Sequence, residues 1–146
     1  MRLKLAHGSF DAEVVKADFR INIYAGSGSD RVMVASFPCG TGTNDSTPVG
    51  TFKVRSGSKL IDPQWTNPRT GEKFAANDPK NPIGERWIGL QGTTPDTAKF
   101  TGYGIHGTTE PQSIGQQMSM GCVRLGDAEV EVVYELIGEQ STIVIR

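Results

Sequence analysis

The chain has 146 residues, of which 36% are hydrophobic and 21% are charged, values typical of one globular domain with its own core. A formal net charge of -1 and the lack of lysine- or arginine-rich runs argue against a nucleic-acid-binding protein. No apolar run reaches the length of a membrane span, and residues 1–10 lack the apolar region of a signal peptide. We expect one domain over residues 1–146, which either stays in the cytoplasm or has an export signal outside this chain.

Hydrophobic alternation predicts short strands in the first third of the chain. Residues 13–16 form one candidate strand, and residues 19–24 alternate between apolar and more polar side chains. A glycine- and serine-rich turn at residues 25–30 leads to residues 31–37, which are predicted to pair antiparallel with the preceding strand. The 18 glycines and 8 prolines favour a turn-rich β structure.

The middle of the chain combines predicted strands with one long irregular segment. Residues 51–55, 87–90 and 102–105 are predicted strands, and residues 111–118 are a candidate short helix. Residues 56–86 contain four prolines and three asparagines without periodicity. Irregular segments of this length are usually functional or disordered, so this one is either a lid over a site or a surface excursion.

One clear helix is predicted near the C-terminus. Asp127 is its candidate N-cap, and Gly138 is a natural stop signal. The apolar stripe of this helix consists of Val130, Val133, Tyr134 and Ile137. A last strand at residues 141–145 completes a mostly β domain, a sandwich or barrel-like fold with one helix packed on it.

Cys122 is the candidate nucleophile. A cysteine needs a lowered pKa or a nearby base to attack at neutral pH. His7 and His106 are the two side chains that titrate near neutrality; His7 is close to the terminus, whereas His106 follows a predicted strand. If Cys122 is a nucleophile, His106 is its base by elimination.

The residues around Cys122 favour acyl transfer. Gly121 permits close backbone approach, and an N–H at Gly121 or Cys122 is a candidate oxyanion donor. Arg124 shares strand parity with Cys122 and is suited to bind a substrate carboxylate.

Each of these residues also has a structural interpretation. Cys122 is alternatively a buried structural thiol, and His106 is alternatively a hydrogen-bonded loop histidine. Arg124 is alternatively in a surface ion pair with Asp127 or Glu129.

The second cysteine, Cys39, is interpreted as a structural thiol. The alternatives are a disulfide with Cys122, which would abolish the chemistry, and a zinc site. A zinc site would combine Cys39 and Cys122 with His7 and His106, but no two of these show finger-like spacing, so no metal is expected.

Three aromatic residues are candidates for either packing or substrate contact. Tyr103 either lines a cleft or packs in the core. Trp65 and Trp87 are interpreted as hydrophobic anchors rather than sugar platforms.

The sequence resembles the catalytic domain of YkuD-type L,D-transpeptidases. Residues 106–125, HGTTEPQSIGQQMSMGCVRL, match the family's spaced histidine-glycine and Ser-His-Gly-Cys motifs. Residues 46–52 (STPVGTF) and 81–90 (NPIGERWIGL) also match. The resemblance extends from about residue 10 to the C-terminus.

The resemblance implies a mostly β sandwich with a cysteine in a cleft under a mobile loop. It implies attack on the peptide bond after the L-centre of diaminopimelate in a stem tetrapeptide, with release of D-alanine. A second stem then resolves the thioester into a 3→3 cross-link. In some members the acceptor is a lipoprotein lysine. With water the same site is an L,D-carboxypeptidase or endopeptidase.

The resemblance assigns roles to individual residues. Cys122 is the nucleophile, His106 the base, and the Gly107 carbonyl orients the imidazole. The implied substrate-binding and oxyanion residues are Arg124, Gly121, Ser119 and Tyr103. Most members have histidine where this chain has Met120, which cannot relay a proton.

The resemblance further implies that the protein acts at the cell envelope on peptidoglycan stem peptides. We expect a monomer without a cofactor, metal or nucleic acid. The alternative from another class is a catalytically weak wall-binding module, with Met120 as the trace of lost turnover.

Overall fold

The computed structural model describes residues 10–26 and 28–146. The predictions for His7 and for the absence of a signal peptide fall mainly or wholly on residues 1–9, outside the described part. The elements are strands β1 Asp11–Val15, β2 Arg20–Ala25, β3 Val32–Pro38, β4 Thr41–Gly42, β5 Gly50–Ile61, β6 Trp65–Thr66, β7 Lys73–Phe74, β8 Arg86–Gly92, β9 Gly104–His106, β10 Gln117–Ser119, β11 Val123–Arg124 and β12 Thr142–Ile145, with helix α1 at Asp127–Leu136.

Eight strands form one curled sheet in the order β11-β9-β8-β5-β12-β1-β2-β3. The pairs β1/β12 and β9/β11 are parallel, and the other neighbours in this sheet are antiparallel. Pro38 at the end of β3 still pairs with Arg20 of β2. Two residues later, Gly40 and Arg124 of the opposite edge strand exchange N–H···O bonds of 2.8 and 2.9 Å. The sheet therefore meets its own far edge, which confirms a mostly β, barrel-like fold.

The core lies inside the curled sheet and under α1. Side chains that are at most 1% exposed include Ile21, Ile23, Phe52, Val54, Ile88, Ile105, Ile143 and Ile145. Each buried side chain of this size contributes about 1.5–3 kcal/mol to the hydrophobic stabilisation of the fold.

Helix α1 packs against β8 through the apolar stripe that the sequence predicts. Val130, Val133 and Ile137 are fully buried, and Tyr134 packs against the core at its edge. The N-cap is Gly126, so the prediction of Asp127 is wrong by one residue: Asp127 already has helical conformation. The longest helix of the described residues is too short and too polar to span a bilayer.

Two segments differ from the predicted elements. Residues 111–118 contain only a 3-10 turn at Pro111–Ser113, because Gly115 has a φ of +84° and interrupts any helix. The chain then forms β10, which pairs in parallel with β4. Within residues 56–86, β5 continues to Ile61 and a hairpin, β6/β7, follows.

Candidate active site

Parallel pairing of β9 and β11 brings the predicted site residues together. His106 ends β9, Arg124 ends β11, and the two are register partners. Cys122 directly precedes β11. All three line a cleft of about 330 Å³, together with Tyr103 and Ser119. The cleft therefore contains a thiol, an imidazole and a guanidinium.

The backbone fixes the orientation of the His106 ring. The side chain is buried, and its Nδ1 lies 2.5 Å from the Gly107 carbonyl oxygen. Since a carbonyl only accepts hydrogen bonds, this contact requires the proton on Nδ1, and Nε2 of the neutral ring is then unprotonated. The ring also stacks on Trp87, with centroids 5.7 Å apart and planes inclined by 18°.

Burial favours the uncharged forms of the His106 and Cys122 side chains. Burial lowers the pKa of His106 to about 4, and the positive charge of Arg124 lowers it further, against the opposing hydrogen bonds to the Gly107 and Ile83 backbone. Burial also raises the pKa of the Cys122 thiol, although the Gly104 backbone and Arg124 favour the thiolate. At neutral pH the cleft therefore holds an uncharged thiol, which lies 3.9 Å from the Gly102 carbonyl oxygen, and a neutral imidazole.

We expect His106 to make the protein less stable in acid. The pKa of His106 is about 4 in the folded protein and 6.5 in the unfolded chain. Between these pH values the unfolded chain binds the proton more readily, so acid favours unfolding. Relative to His106→Gln, the free energy of unfolding of the wild type should fall by on the order of 3 kcal/mol as the pH decreases from 6.5 to about 4. Urea denaturation of both proteins at several pH values measures this; identical pH dependence contradicts the buried neutral imidazole.

A tight turn presents Cys122 to the cleft. The Ser119 hydroxyl donates to the Cys122 carbonyl at 2.6 Å and accepts from the Gly121 N–H at 3.1 Å. Gly121 has a φ of +124°, and a Cβ there would lie 2.6 Å from the Tyr103 ring. The turn therefore requires glycine on both conformational and steric grounds. Because the Gly121 N–H donates to Ser119, the Cys122 N–H is the better candidate for an oxyanion donor.

Tyr103 and Met120 both line the cleft near Cys122. Tyr103 makes an edge-on contact with Phe100, with ring centroids 5.9 Å apart, so it both packs and contributes to the cleft wall. Met120 is 36% exposed and offers an apolar surface where a histidine would offer a proton donor.

The segment of residues 56–86 forms one wall of the cleft. Trp65, Pro68, Pro82 and Ile83 line it, and Trp65 stacks on Phe74 across the β6/β7 hairpin at 6.0 Å. The segment thus contributes to the cleft, and its action as a lid stays a prediction. Pro82 and Ile83 belong to the segment 81–90 that resembles the family, whereas Pro68 has no sequence signal for a site.

Arg124 has a different partner from those considered on the sequence. Its Nη1 lies 3.4 Å from Oε2 of Glu110, rather than in an ion pair with Asp127 or Glu129. Glu110 was not identified from the sequence, because a single glutamate in a loop has no distinguishing pattern.

The two cysteines are free thiols, so the disulfide alternative is not formed. Cys39 lies in the hydrophobic core, where burial raises its pKa to about 12. Within residues 10–26 and 28–146, no group of three histidine, cysteine or acidic side chains is arranged to hold a metal ion.

The family model for the YkuD L,D-transpeptidase catalytic domain matches residues 10–145, and the chain belongs to this family. The YqjB protein of Bacillus subtilis (strain 168), whose name assigns it to the L,D-transpeptidases, is 35% identical over 95 residues. That alignment covers 65% of this chain and 49% of YqjB. The YkuD protein of the same strain is 37% identical over 68 residues, or 44% of this chain and 37% of YkuD. The matched regions thus span less than half of either relative.

Solved structures of L,D-transpeptidases share the fold. A cysteine-to-serine mutant of the Enterococcus faecium enzyme superposes with a TM-score of 0.68 at 16% identity, over 94% of this chain and 50% of that one. The Mycobacterium smegmatis enzyme gives a TM-score of 0.64 at 14% identity, over 94% of this chain and 58% of that one. At these identities the likeness concerns the fold alone.

Proposed function

We propose that this protein is a cysteine-dependent L,D-transpeptidase that acts on peptidoglycan stem peptides at the cell envelope. The observation that carries the proposal is the single cleft shared by Cys122, His106 and Arg124, with His106 oriented by the Gly107 carbonyl. Membership of the L,D-transpeptidase family supports the same activity. The substrate is a stem tetrapeptide that contains diaminopimelate and ends in D-alanine.

The reaction proceeds through a thioester. The Cys122 sulfur attacks the carbonyl that follows the L-centre of diaminopimelate, and His106 Nε2 accepts the thiol proton in the same step. The tetrahedral intermediate collapses, the C–N bond breaks, and D-alanine leaves with the proton from His106. The amine of a second stem then attacks the thioester, gives up a proton to His106, and releases the thiol with a 3→3 cross-link.

The neutral resting pair determines how the nucleophile is generated. Because burial disfavours both the thiolate and the imidazolium, the proton moves as the carbon–sulfur bond forms rather than beforehand. The Cys122 amide stabilises the developing oxyanion, and one such donor is worth about 3 kcal/mol in other acyl-transfer enzymes. Arg124 binds the terminal carboxylate of the donor tetrapeptide.

Related structures support a reactive cleft of this kind. One is an L,D-transpeptidase of Mycobacterium tuberculosis with a faropenem-derived adduct, and another is an avibactam carbamoyl enzyme. By analogy, we propose that Cys122 forms covalent adducts with compounds of this chemistry.

Product analysis tests the proposal and separates it from its alternatives. The protein is incubated with a diaminopimelate-containing tetrapeptide, with and without a second stem as acceptor. We expect release of D-alanine and, when the acceptor is present, a cross-linked dimer. Tripeptide as the sole product in both cases indicates a carboxypeptidase. Binding of the tetrapeptide without release of D-alanine indicates a wall-binding module and contradicts the proposal.

A further inference from the structure

The ion pair between Arg124 and Glu110 is a weak one. It consists of one contact, Nη1 to Oε2, at 3.4 Å, beyond the usual range for a charged hydrogen bond. The Arg124 side chain is 15% exposed, whereas that of Glu110 is 49% exposed. Pairs that reach this far into water contribute little to stability. Glu110 therefore forms only a weak ion pair with Arg124.

The guanidinium of Arg124 retains donors that Glu110 does not use. Its Nε is buried and has no hydrogen-bond partner. A buried donor without an acceptor is unfavourable, and a guanidinium offers five N–H donors in a planar fork. A carboxylate that engages two of these donors binds more strongly than the single contact to Glu110.

The loop around Glu110 is anchored by its backbone rather than by its carboxylate. The Glu110 N–H donates to Thr108 Oγ1 at 3.0 Å. The Glu110 carbonyl accepts from the Ser113 N–H at 2.9 Å and from the Ser113 hydroxyl at 2.7 Å. The carboxylate can therefore leave Arg124 by side-chain rotation, with the loop unchanged.

We propose that Glu110 is a specificity-determining residue, an internal carboxylate that competes with the carboxylate of the acyl donor for Arg124. This inference rests on the proposed function, in which Arg124 binds the donor's carboxylate. A donor that carries a terminal carboxylate must displace Glu110, whereas a donor without one has nothing to exchange. Glu110 thus weakens the binding of donors with a free terminal carboxylate and leaves that of terminally amidated donors unaffected.

The test measures binding in the absence of chemistry. The Cys122→Ala protein is titrated with the diaminopimelate tetrapeptide and with the same peptide amidated at its terminal D-alanine. Each titration is repeated after adding Glu110→Gln, and after adding Asp18→Asn, which removes the same charge at an exposed position outside the cleft lining. The titrations with and without Glu110→Gln are then repeated in a protein that also carries Arg124→Gln, which shows whether any effect of Glu110 passes through Arg124.

We expect Glu110→Gln to tighten binding of the free tetrapeptide by about 3- to 10-fold, an effect that decreases at high salt. Binding of the amide should change by less than about 2-fold, and Asp18→Asn should affect neither peptide. The effect should disappear when Arg124→Gln is present. An unchanged affinity for the tetrapeptide, equal changes for both peptides, or persistence without Arg124 overturns the inference. If the tetrapeptide fails to bind the Cys122→Ala protein at all, the proposed donor itself is wrong.

Discussion

Cys122→Ala should abolish covalent labelling by a carbapenem. The wild-type protein should gain the mass of one carbapenem molecule, because opening of the β-lactam ring by the thiol adds the whole molecule. The variant lacks the sulfur and should gain nothing at any incubation time. Intact-protein mass spectrometry measures both outcomes directly. Since Cys122 is only partly buried and lies at the cleft, the melting temperature should change little.

The second cysteine provides a matched control. Cys39 is fully buried in the core and has a raised pKa, so it should not react with the carbapenem. Cys39→Ala should keep the full adduct and lose stability through the cavity that it leaves. An adduct on Cys122→Ala, or its loss in a folded Cys39→Ala protein, contradicts the assignment of the nucleophile.

His106→Gln should slow acylation by about 10²- to 10⁴-fold near neutral pH, the usual effect of removing a general base. Glutamine keeps a donor for the Gly107 carbonyl but cannot accept the thiol proton at Nε2. Because the pKa of the Cys122 thiol is raised, spontaneous ionisation does not replace the base at this pH. The rate of adduct formation, followed by mass spectrometry over time, gives the fold-change.

The pH profile of His106→Gln distinguishes a lost base from a distorted cleft. The variant can react only through thiolate formed by the solvent, so its rate should rise with pH and approach the wild-type rate in alkaline solution. A distorted cleft would leave the rate low at every pH. A variant that reacts within about tenfold of the wild type at neutral pH contradicts the role of His106 as the base.

Much of the fold follows from local pattern. The alternation at residues 19–24 matches β2, and the last strand predicted at residues 141–145 matches β12. The helical stripe from Val130 to Ile137 matches the buried face of α1. The spacing of apolar residues indicates which face of a single strand or helix is buried, so predictions that concern one element at a time succeed. The prediction of a short helix at residues 111–118 is wrong, because Gly115 adopts a left-handed conformation and residues 117–119 pair with a strand about 75 residues earlier.

The candidate site residues could also be identified from the sequence. Cys122, His106 and Arg124 are rare or distinctive residue types that lie among glycines, so they are site candidates on sequence alone. Their proximity, by contrast, could not be predicted from the sequence. It depends on the parallel pairing of β9 with β11, which makes His106 and Arg124 register partners.

Residue type and periodicity thus identified the strands, the helix and the candidate reacting groups, because these are properties of short stretches of chain. The cleft wall formed by Trp65 and Ile83, the Glu110 contact with Arg124 and the neutral state of the His106–Cys122 pair emerged only with the folded chain. Each of them depends on burial or on contacts between segments that are distant in sequence, and neither is encoded in local composition.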